Sequence, residues 1–159
     1  MKIMGVDPGL LNTGYAIIDE KYSLLDYGVI HPTEKKLEDR LHFIFNKLIG
    51  KIDYWKPDYF VMEDTFYHKN ANTAIKLGTV KGISLLAAKM FNVNIITLQP
   101  TLIKLSITGD GHSSKEKVAF MVKRILKLDA VFPLHVTDAI ACAVAAINKL
   151  RKDAIFNKG

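Results

Sequence analysis

The first thirty residues contain three apolar stretches of strand length, and this feature constrains the fold most. Residues 2–7 end at Asp7-Pro8-Gly9, a turn-forming tripeptide. Residues 14–18 and 22–30 follow, separated by the polar tripeptide Asp19-Glu20-Lys21. Short strands joined by turns of this kind favour an antiparallel meander at the start of the chain.

Beyond the meander the apolar spacing becomes helical. One face of a helix carries Leu37, Leu41, Ile44, Phe45, Leu48 and Ile52, and Lys56-Pro57-Asp58 ends it. Residues 59–62 are wholly apolar, as in a buried parallel strand. A long helix over about residues 70–90 and a strand over 92–97 come next.

Three more helices complete the predicted order of elements. Pro100 suits the first position of a short helix. Ser113 and Glu116 have capping-box spacing for a helix that runs to about residue 127, and the last helix starts near Val136. The order β-β-β-α-β-α-β followed by helices predicts a mixed five-stranded sheet flanked by helices. This is the layout of the ribonuclease-H-like fold, as a single domain over residues 1–159.

Composition limits the classes of function. The chain has 159 residues with 49% hydrophobic and 24% charged, typical of a globular protein. It contains no apolar run long enough to span a bilayer, so we expect no membrane association. Cys142 is the only cysteine, which excludes an internal disulfide and makes a cytoplasmic location the default. The net charge of +6 suits a polyanionic partner but equally a solvated basic surface.

Acidic residues fall where strands and a helix meet. Asp7 ends the first strand and Glu63 ends the strand over 59–62, so both are expected at the same edge of the sheet. Asp138 lies in the first turn of the last helix, and His135 is three residues earlier on the same face. Each also has an ordinary structural explanation, as a turn residue, a solvated strand end or a helix-start residue. Together they form a candidate catalytic and metal-binding centre.

Clustered carboxylates suit phosphodiester hydrolysis. Two hard cations about 4 Å apart can hold the attacking water and the leaving oxygen. Mg²⁺ prefers carboxylate oxygens and retains open water positions. Three carboxylates and one phosphodiester balance the charge of two such cations.

At this point the residues resemble a known family. Gly5-Val6-Asp7-Pro8-Gly9 with Thr13-Gly14-Tyr15 resembles the first motif of RuvC-type crossover-junction endonucleases. The second and third motifs are matched by Pro57-Asp58-Tyr59 to Glu63, Phe66, Lys69-Asn70-Ala71, Ala74 to Gly78, Lys104, Gly109, Gly111 and Lys115. Asp138-Ala139 matches the last. The resemblance covers nearly the whole chain.

The resemblance implies a homodimer that binds four-way junction DNA and nicks two symmetry-related strands. It carries Asp7, Glu63 and Asp138 over as metal ligands, for two Mg²⁺ ions per active site with Mn²⁺ as a substitute. Position 135 departs from the all-acidic pattern, and His135 either binds a metal or moves a proton. Imidazole suits Mn²⁺ better than Mg²⁺. A branch-migration motor is left open as a further partner.

The resemblance also implies DNA contacts. Phe66 would stack on a junction base, although a buried loop anchor also fits its position. Lys69 lies beside it, and Lys104, Lys115 and Lys117 flank the glycine-rich segment 109–114, which we expect to be flexible and to contact phosphates. Gly78 and Gly82 weaken the long helix unless something packs closely on them, within the monomer or across a dimer.

Three other functions share part of this pattern. A ribonuclease-H-like nuclease that processes RNA would also carry Asp7 and Glu63. An actin-like or sugar-kinase ATPase also places an Asp and a Gly after its first strand, but it needs a second similar domain that 159 residues cannot hold. A junction-binding protein without catalysis would not need the clustered carboxylates, which are costly unless a metal is bound.

Overall fold

Five strands and five helices make up the part of the chain, residues 1–64 and 71–156, that the computed structural model describes. The strands are β1 Lys2–Asp7, β2 Thr13–Asp19, β3 Leu24–Ile30, β4 Tyr59–Glu63 and β5 Asn94–Leu98. The helices are α1 Leu37–Trp55, α2 Ala71–Met90, α3 Pro100–Thr108, α4 Lys115–Leu126 and α5 Leu134–Phe156.

All five strands form one mixed sheet in the order β3-β2-β1-β4-β5. β1, β2 and β3 pair antiparallel, which confirms the predicted meander. β4 pairs parallel with both β1 and β5. The topology places β1 and β4 side by side at the centre of the sheet, where both faces are covered.

Helices cover both faces of the sheet, and alternate strand residues divide between two cores. Met4 and Phe60 pack with Ile44 of α1 and Val80 of α2 on one face. On the other face, α3, α4 and α5 bury a core around Ile140. The mixed five-stranded sheet flanked by helices is therefore confirmed.

Helix α5 is the central element of its face, and alanines let it lie close to the sheet. The side chains at positions 139, 141, 143, 145 and 146 are all alanine and all buried. Small side chains reduce the distance at which a helix can pack. The chain therefore brings the backbone of α5 directly over β1 and β2.

Two helix starts differ from the predicted ones. Ser114, not Ser113, is the N-cap of α4, and its hydroxyl accepts a hydrogen bond from the Lys117 amide. Ser113 is buried and its Oγ lies 2.7 Å from Thr108 Oγ1. α5 begins at Leu134, two residues before the predicted Val136, so Asp138 lies just beyond the first turn. The sequence pattern alone could not distinguish two adjacent serines that compete for the cap.

None of the helices in the described ranges is both long and apolar enough to cross a membrane.

Candidate active site

Asp7 and Glu63 occupy the same edge and the same face of the sheet. β1 and β4 run parallel with Val6 opposite Met62, so Asp7 and Glu63 follow one step beyond that pair. Along β1, Met4 and Val6 face the α1–α2 core, so Gly5 and Asp7 face α5. The same alternation along β4 turns Glu63 towards α5. The expectation that both carboxylates emerge together holds at the level of strand register.

Two glycines allow α5 to approach this edge. A Cβ atom added to Gly5 would lie 2.0 Å from the carbonyl oxygen of Ala139, and one added to Gly14 would lie 2.0 Å from that of His135. Gly14 is also the antiparallel partner of Asp7. The missing side chains therefore determine how closely the first turn of α5 lies against the end of β1.

The close approach joins His135 to Asp7. Nδ1 of His135 donates a hydrogen bond to Asp7 Oδ2 over 2.6 Å, since an ionised carboxylate can only accept. This bond uses Nδ1, so Nε2 is the ring nitrogen that remains for another partner. Both side chains are about a third exposed, 39% for His135 and 26% for Asp7. The contact orients the imidazole at the site rather than in the core.

Asp138 lies one turn along α5 from His135 and has a different partner. Its Oδ2 lies 3.2 Å from Nζ of Lys115, the first residue of α4. Partial burial tends to lower the pKa of Lys115, but the carboxylates of Asp138, Asp7 and Glu63 outweigh it and raise the pKa. Lys115 therefore contributes a positive charge to the acidic centre and stays protonated. The sequence predicted it only as a DNA contact.

The carboxyl groups of Asp7 and Glu63 are partly shielded from bulk water. Burial raises the pKa of Asp7, and the charge of Asp138 raises it further against the opposing bond from His135. Burial also raises the pKa of Glu63, with Asp138 and Asp7 adding to the effect. Neighbouring like charges in a poorly solvated site favour the protonated form. A nearby cation would stabilise the ionised form of such a cluster, because it offsets the repulsion between the carboxylates.

The carboxylates have the chemistry of a metal site, although their present side-chain positions do not enclose one. Among the described residues, no three His, Cys, Asp or Glu side chains are spaced to hold one ion. Asp138 instead faces the ammonium of Lys115. Three hard oxygen donors and one imidazole still fit a divalent cation, because it would relieve the mutual repulsion that raises the pKa of Asp7 and Glu63.

The predicted DNA-contacting residues are only partly described. Phe66 and Lys69 lie outside the described residues. Lys104 is half-buried on α3, and Lys117 is exposed in the first turn of α4. The segment 109–114 lies between them and was expected to be flexible. Hydrogen bonds join its residues to one another and to Thr108. The Asp110 carboxylate accepts from the His112 amide at 2.9 Å, and Thr108 Oγ1 donates to the Asp110 carbonyl at 2.9 Å.

Two neighbours of the centre, Lys81 and Cys142, were not expected from the sequence. Asp64 projects to the opposite face and pairs with Lys81 of α2 at 3.6 Å, and the positive charge of Lys81 partly offsets the raised pKa of Glu63. Cys142, one turn beyond Asp138, is buried, and burial raises the pKa of its thiol well above the usual value. The only sequence signal for Cys142 is its spacing from Asp138, which places both residues on one face of α5.

Comparison with known proteins gives a consistent result. The family model described as crossover junction endodeoxyribonuclease RuvC matches residues 3–146. The RuvC protein of Dictyoglomus thermophilum is 37% identical over 154 residues, covering 94% of this chain and 98% of the relative. That of Ruminiclostridium cellulolyticum is 38% identical over 161 residues, covering 98% and 97%.

Solved structures agree with the sequence comparisons. The structure described as Thermus thermophilus RuvC in complex with Holliday junction substrate superposes with a TM-score of 0.91 at 28% identity. The match covers 96% of each chain. The agreement extends to the ribonuclease-H-like architecture of the whole chain.

Proposed function

Since this chain belongs to the RuvC family of crossover junction endodeoxyribonucleases, we propose that it resolves four-way (Holliday) DNA junctions during recombination and repair. The reaction is metal-dependent hydrolysis of two symmetry-related phosphodiesters. The T. thermophilus relative in complex with a Holliday junction supports the choice of substrate. The observation that carries the proposal is the position of Asp7, Glu63 and Asp138 where β1, β4 and α5 meet.

The catalytic residues are Asp7, Glu63, Asp138 and His135, which would also hold the metal. The carboxylates favour Mg²⁺, two ions per site, and the imidazole makes Mn²⁺ an effective substitute. When bound, the ions would supply an activated water and stabilise the charge that develops on the phosphate. His135 is oriented for this by its bond to Asp7. Loss of a group that only supports a metal ligand typically costs about 10–100-fold in metal affinity or activity, so loss of a ligand itself should cost more.

Lys115 links the acidic centre to the DNA. Its ammonium lies in the field of all three carboxylates and remains protonated at neutral pH because its pKa is raised. A phosphate that enters the centre meets this ammonium, which can leave Asp138 to pair with the phosphate. Lys104 and Lys117 supply further phosphate contacts, and Phe66 and Lys69 supply contacts at the branch point.

We propose that the exposed face of α2 is the interface of a homodimer. Ile75, Leu86 and Met90 share this face and are 65%, 55% and 60% exposed. Gly78 and Gly82 lie between them, and among residues 1–64 and 71–156 a Cβ atom added to either would meet nothing within 4 Å. Packing against the described part of the subunit thus does not explain either glycine. A second copy would bury the apolar residues, and the glycines would admit its backbone closely.

Two symmetric cuts need two active sites, which a two-fold dimer supplies. The protein acts as a single nuclease domain in the cytoplasm, where it meets chromosomal or phage junctions. A branch-migration motor is its natural further partner, because moving the branch point brings new sequence to a fixed pair of sites.

The decisive experiment is cleavage of a synthetic four-way junction in MgCl₂. The parent protein should make paired symmetric nicks and leave linear duplex and RNA uncut. Asp7→Asn should lose at least about a hundredfold in rate while still binding the junction in EDTA, because a ligand is closer to the metal than an outer partner. Asp53→Asn, on the exposed surface of α1, serves as the control and should cleave normally.

Unchanged cleavage by Asp7→Asn would overturn the site. Cleavage of duplex or RNA as fast as of the junction would overturn the substrate.

A further inference from the structure

The far end of α4 forms a cationic cleft that the acidic centre does not use. The cleft has a volume of about 550 Å³. Its walls are Phe120, Lys123, Arg124, Lys127, Leu128 and Asp129. We refer to it as the α4 cleft.

The three cations of the α4 cleft are not neutralised by the described part of the chain. Over residues 1–64 and 71–156, the side chains of Lys123, Arg124 and Lys127 make neither an ion pair nor a hydrogen bond. Asp129 is the carboxylate in the wall, and it forms no ion pair within those same ranges. From residue 115 to residue 129 the chain carries five cations and two carboxylates. This short segment therefore contributes three of the six net positive charges.

An aromatic side chain lies among these cations. Phe120 is 59% exposed, opposite the residues by which α4 packs on the core. A solvated cationic surface does not need an exposed phenyl ring, which costs free energy in water. A phenyl ring can pack on the sugars of a duplex backbone while lysine and arginine pair with the phosphates. The combination fits a polynucleotide backbone better than an acidic protein surface.

Helix α4 connects the cleft to the active site. Lys115 at its first position contacts Asp138 of the acidic centre. Lys127 is twelve residues later, about 18 Å along the helix axis. A strand of B-form DNA advances about 3.4 Å per nucleotide, so this distance corresponds to about five nucleotides. Lys117 and Arg124, seven residues apart on one flank, bridge the interval.

We propose that the α4 cleft binds the phosphate backbone of a duplex arm of the junction, about five nucleotides from the bond that is cut. This site rests on the proposed function, which supplies the junction. Binding at both ends of α4 fixes the direction in which the arm leaves the acidic centre. The cleft therefore positions the cleaved strand in addition to raising the affinity.

The test compares two triple variants with the same change of charge. One is Lys123→Gln/Arg124→Gln/Lys127→Gln in the α4 cleft. The control is Lys35→Gln/Lys36→Gln/Lys47→Gln, before and on α1, which packs against the opposite face of the sheet from α4. Junction affinity is measured by fluorescence anisotropy in EDTA from 50 to 300 mM KCl. Each DNA phosphate that the protein neutralises adds about 0.9 to the log-log slope of affinity against salt.

We expect the slope for the cleft variant to be about 2–3 smaller than for the parent, and its affinity roughly a hundredfold weaker at 100 mM KCl, while the control matches the parent. Neutral methylphosphonates at the fourth to sixth phosphates from the cut should reduce the slope of the parent but not further reduce that of the cleft variant. Equal slopes for the two triple variants would overturn the cleft alone. Absence of junction binding by the parent would overturn the proposed function and the cleft with it.

Discussion

Glu63, a proposed metal ligand, shows what a buried carboxyl costs the metal-free protein. Its carboxyl ends a buried strand and faces the charges of Asp138 and Asp7. Burial and these charges together raise its pKa, so the folded protein holds the proton more tightly than the unfolded chain does. Stability is therefore highest when Glu63 is protonated and falls as pH rises through the raised pKa.

Glu63→Gln should stabilise the metal-free protein at pH 7, because the amide carries no charge to desolvate. We expect a rise in Tm of about 2–4 °C in EDTA, the change that about 1 kcal/mol produces in a chain of this size. The gain should vanish below about pH 4, where the glutamate is protonated in both states. Thermal unfolding across pH 4–8 measures it.

Two comparisons make this result specific. Glu38→Gln, on the exposed surface of α1, should give no stabilisation. Millimolar MgCl₂ should raise the Tm of the parent more than that of Glu63→Gln, because binding to the folded state alone adds stability. A lower Tm for the variant at pH 7 in EDTA would contradict the raised pKa.

At the scale of elements, the contact between α5 and the first two strands builds the site. Gly14 pairs with Asp7 in the sheet and faces the backbone of His135 on the helix. Further along α5, the buried alanines allow the same close packing of the helix on the sheet. The acidic centre is thus a consequence of helix-on-sheet packing, because its members come from three separate elements.

Gly14→Ala should disturb this contact. Its Cβ would lie 2.0 Å from a backbone oxygen, so α5 must move away from the sheet. We expect the free energy of unfolding to fall by about 1–3 kcal/mol, as for other overpacked cores. Displacing His135 should also weaken Mn²⁺ binding, which titration calorimetry measures independently of cleavage.

Gly50→Ala is the matched control for this substitution. Gly50 lies inside α1, and a Cβ atom there would meet none of the residues that the structure describes within 4 Å. Alanine should therefore raise the free energy of unfolding by up to about 1 kcal/mol and leave Mn²⁺ binding unchanged. Equal urea midpoints for Gly14→Ala and the parent would show that α5 is not held by this approach.

At the scale of the whole molecule, the two faces of the sheet carry different kinds of surface. The α5 face carries the acidic centre and the α4 cleft. The opposite face carries α2 with its exposed apolar residues and unused glycines. A dimer through α2 would leave both acidic centres accessible to one symmetric substrate.

If the proposed dimer forms through α2, Leu86→Asp should convert it into monomers, because the substitution places a charge in an apolar interface. Sedimentation velocity should show a shift to half the mass, with the circular dichroism of the fold unchanged. Leu102→Asp provides the control, since Leu102 is similarly exposed at 52% but lies on α3. The monomeric variant should also lose the coordination of the two nicks. A Leu86→Asp protein that remains dimeric would exclude this face as the interface.

Local sequence patterns were sufficient for the order of the elements and the mixed sheet, whereas the catalytic role of the residues in the acidic centre stays a prediction. Apolar periodicity and turn residues act over a few neighbouring positions, so they predicted β1 to β5 and most helix bounds within a few residues. They failed where neighbours compete, as between Ser113 and Ser114 for the α4 cap.

Which charges meet depends instead on packing between elements that are distant in the chain. The bond between His135 and Asp7 and the pairing of Lys115 with Asp138 join residues 128 and 23 positions apart. Their distances depend on how closely α5 and α4 lie to the sheet, which Gly5 and Gly14 determine through contacts with distant backbone oxygens. Electrostatic interactions decrease with distance and depend on burial, and both are properties of the packed molecule rather than of the sequence.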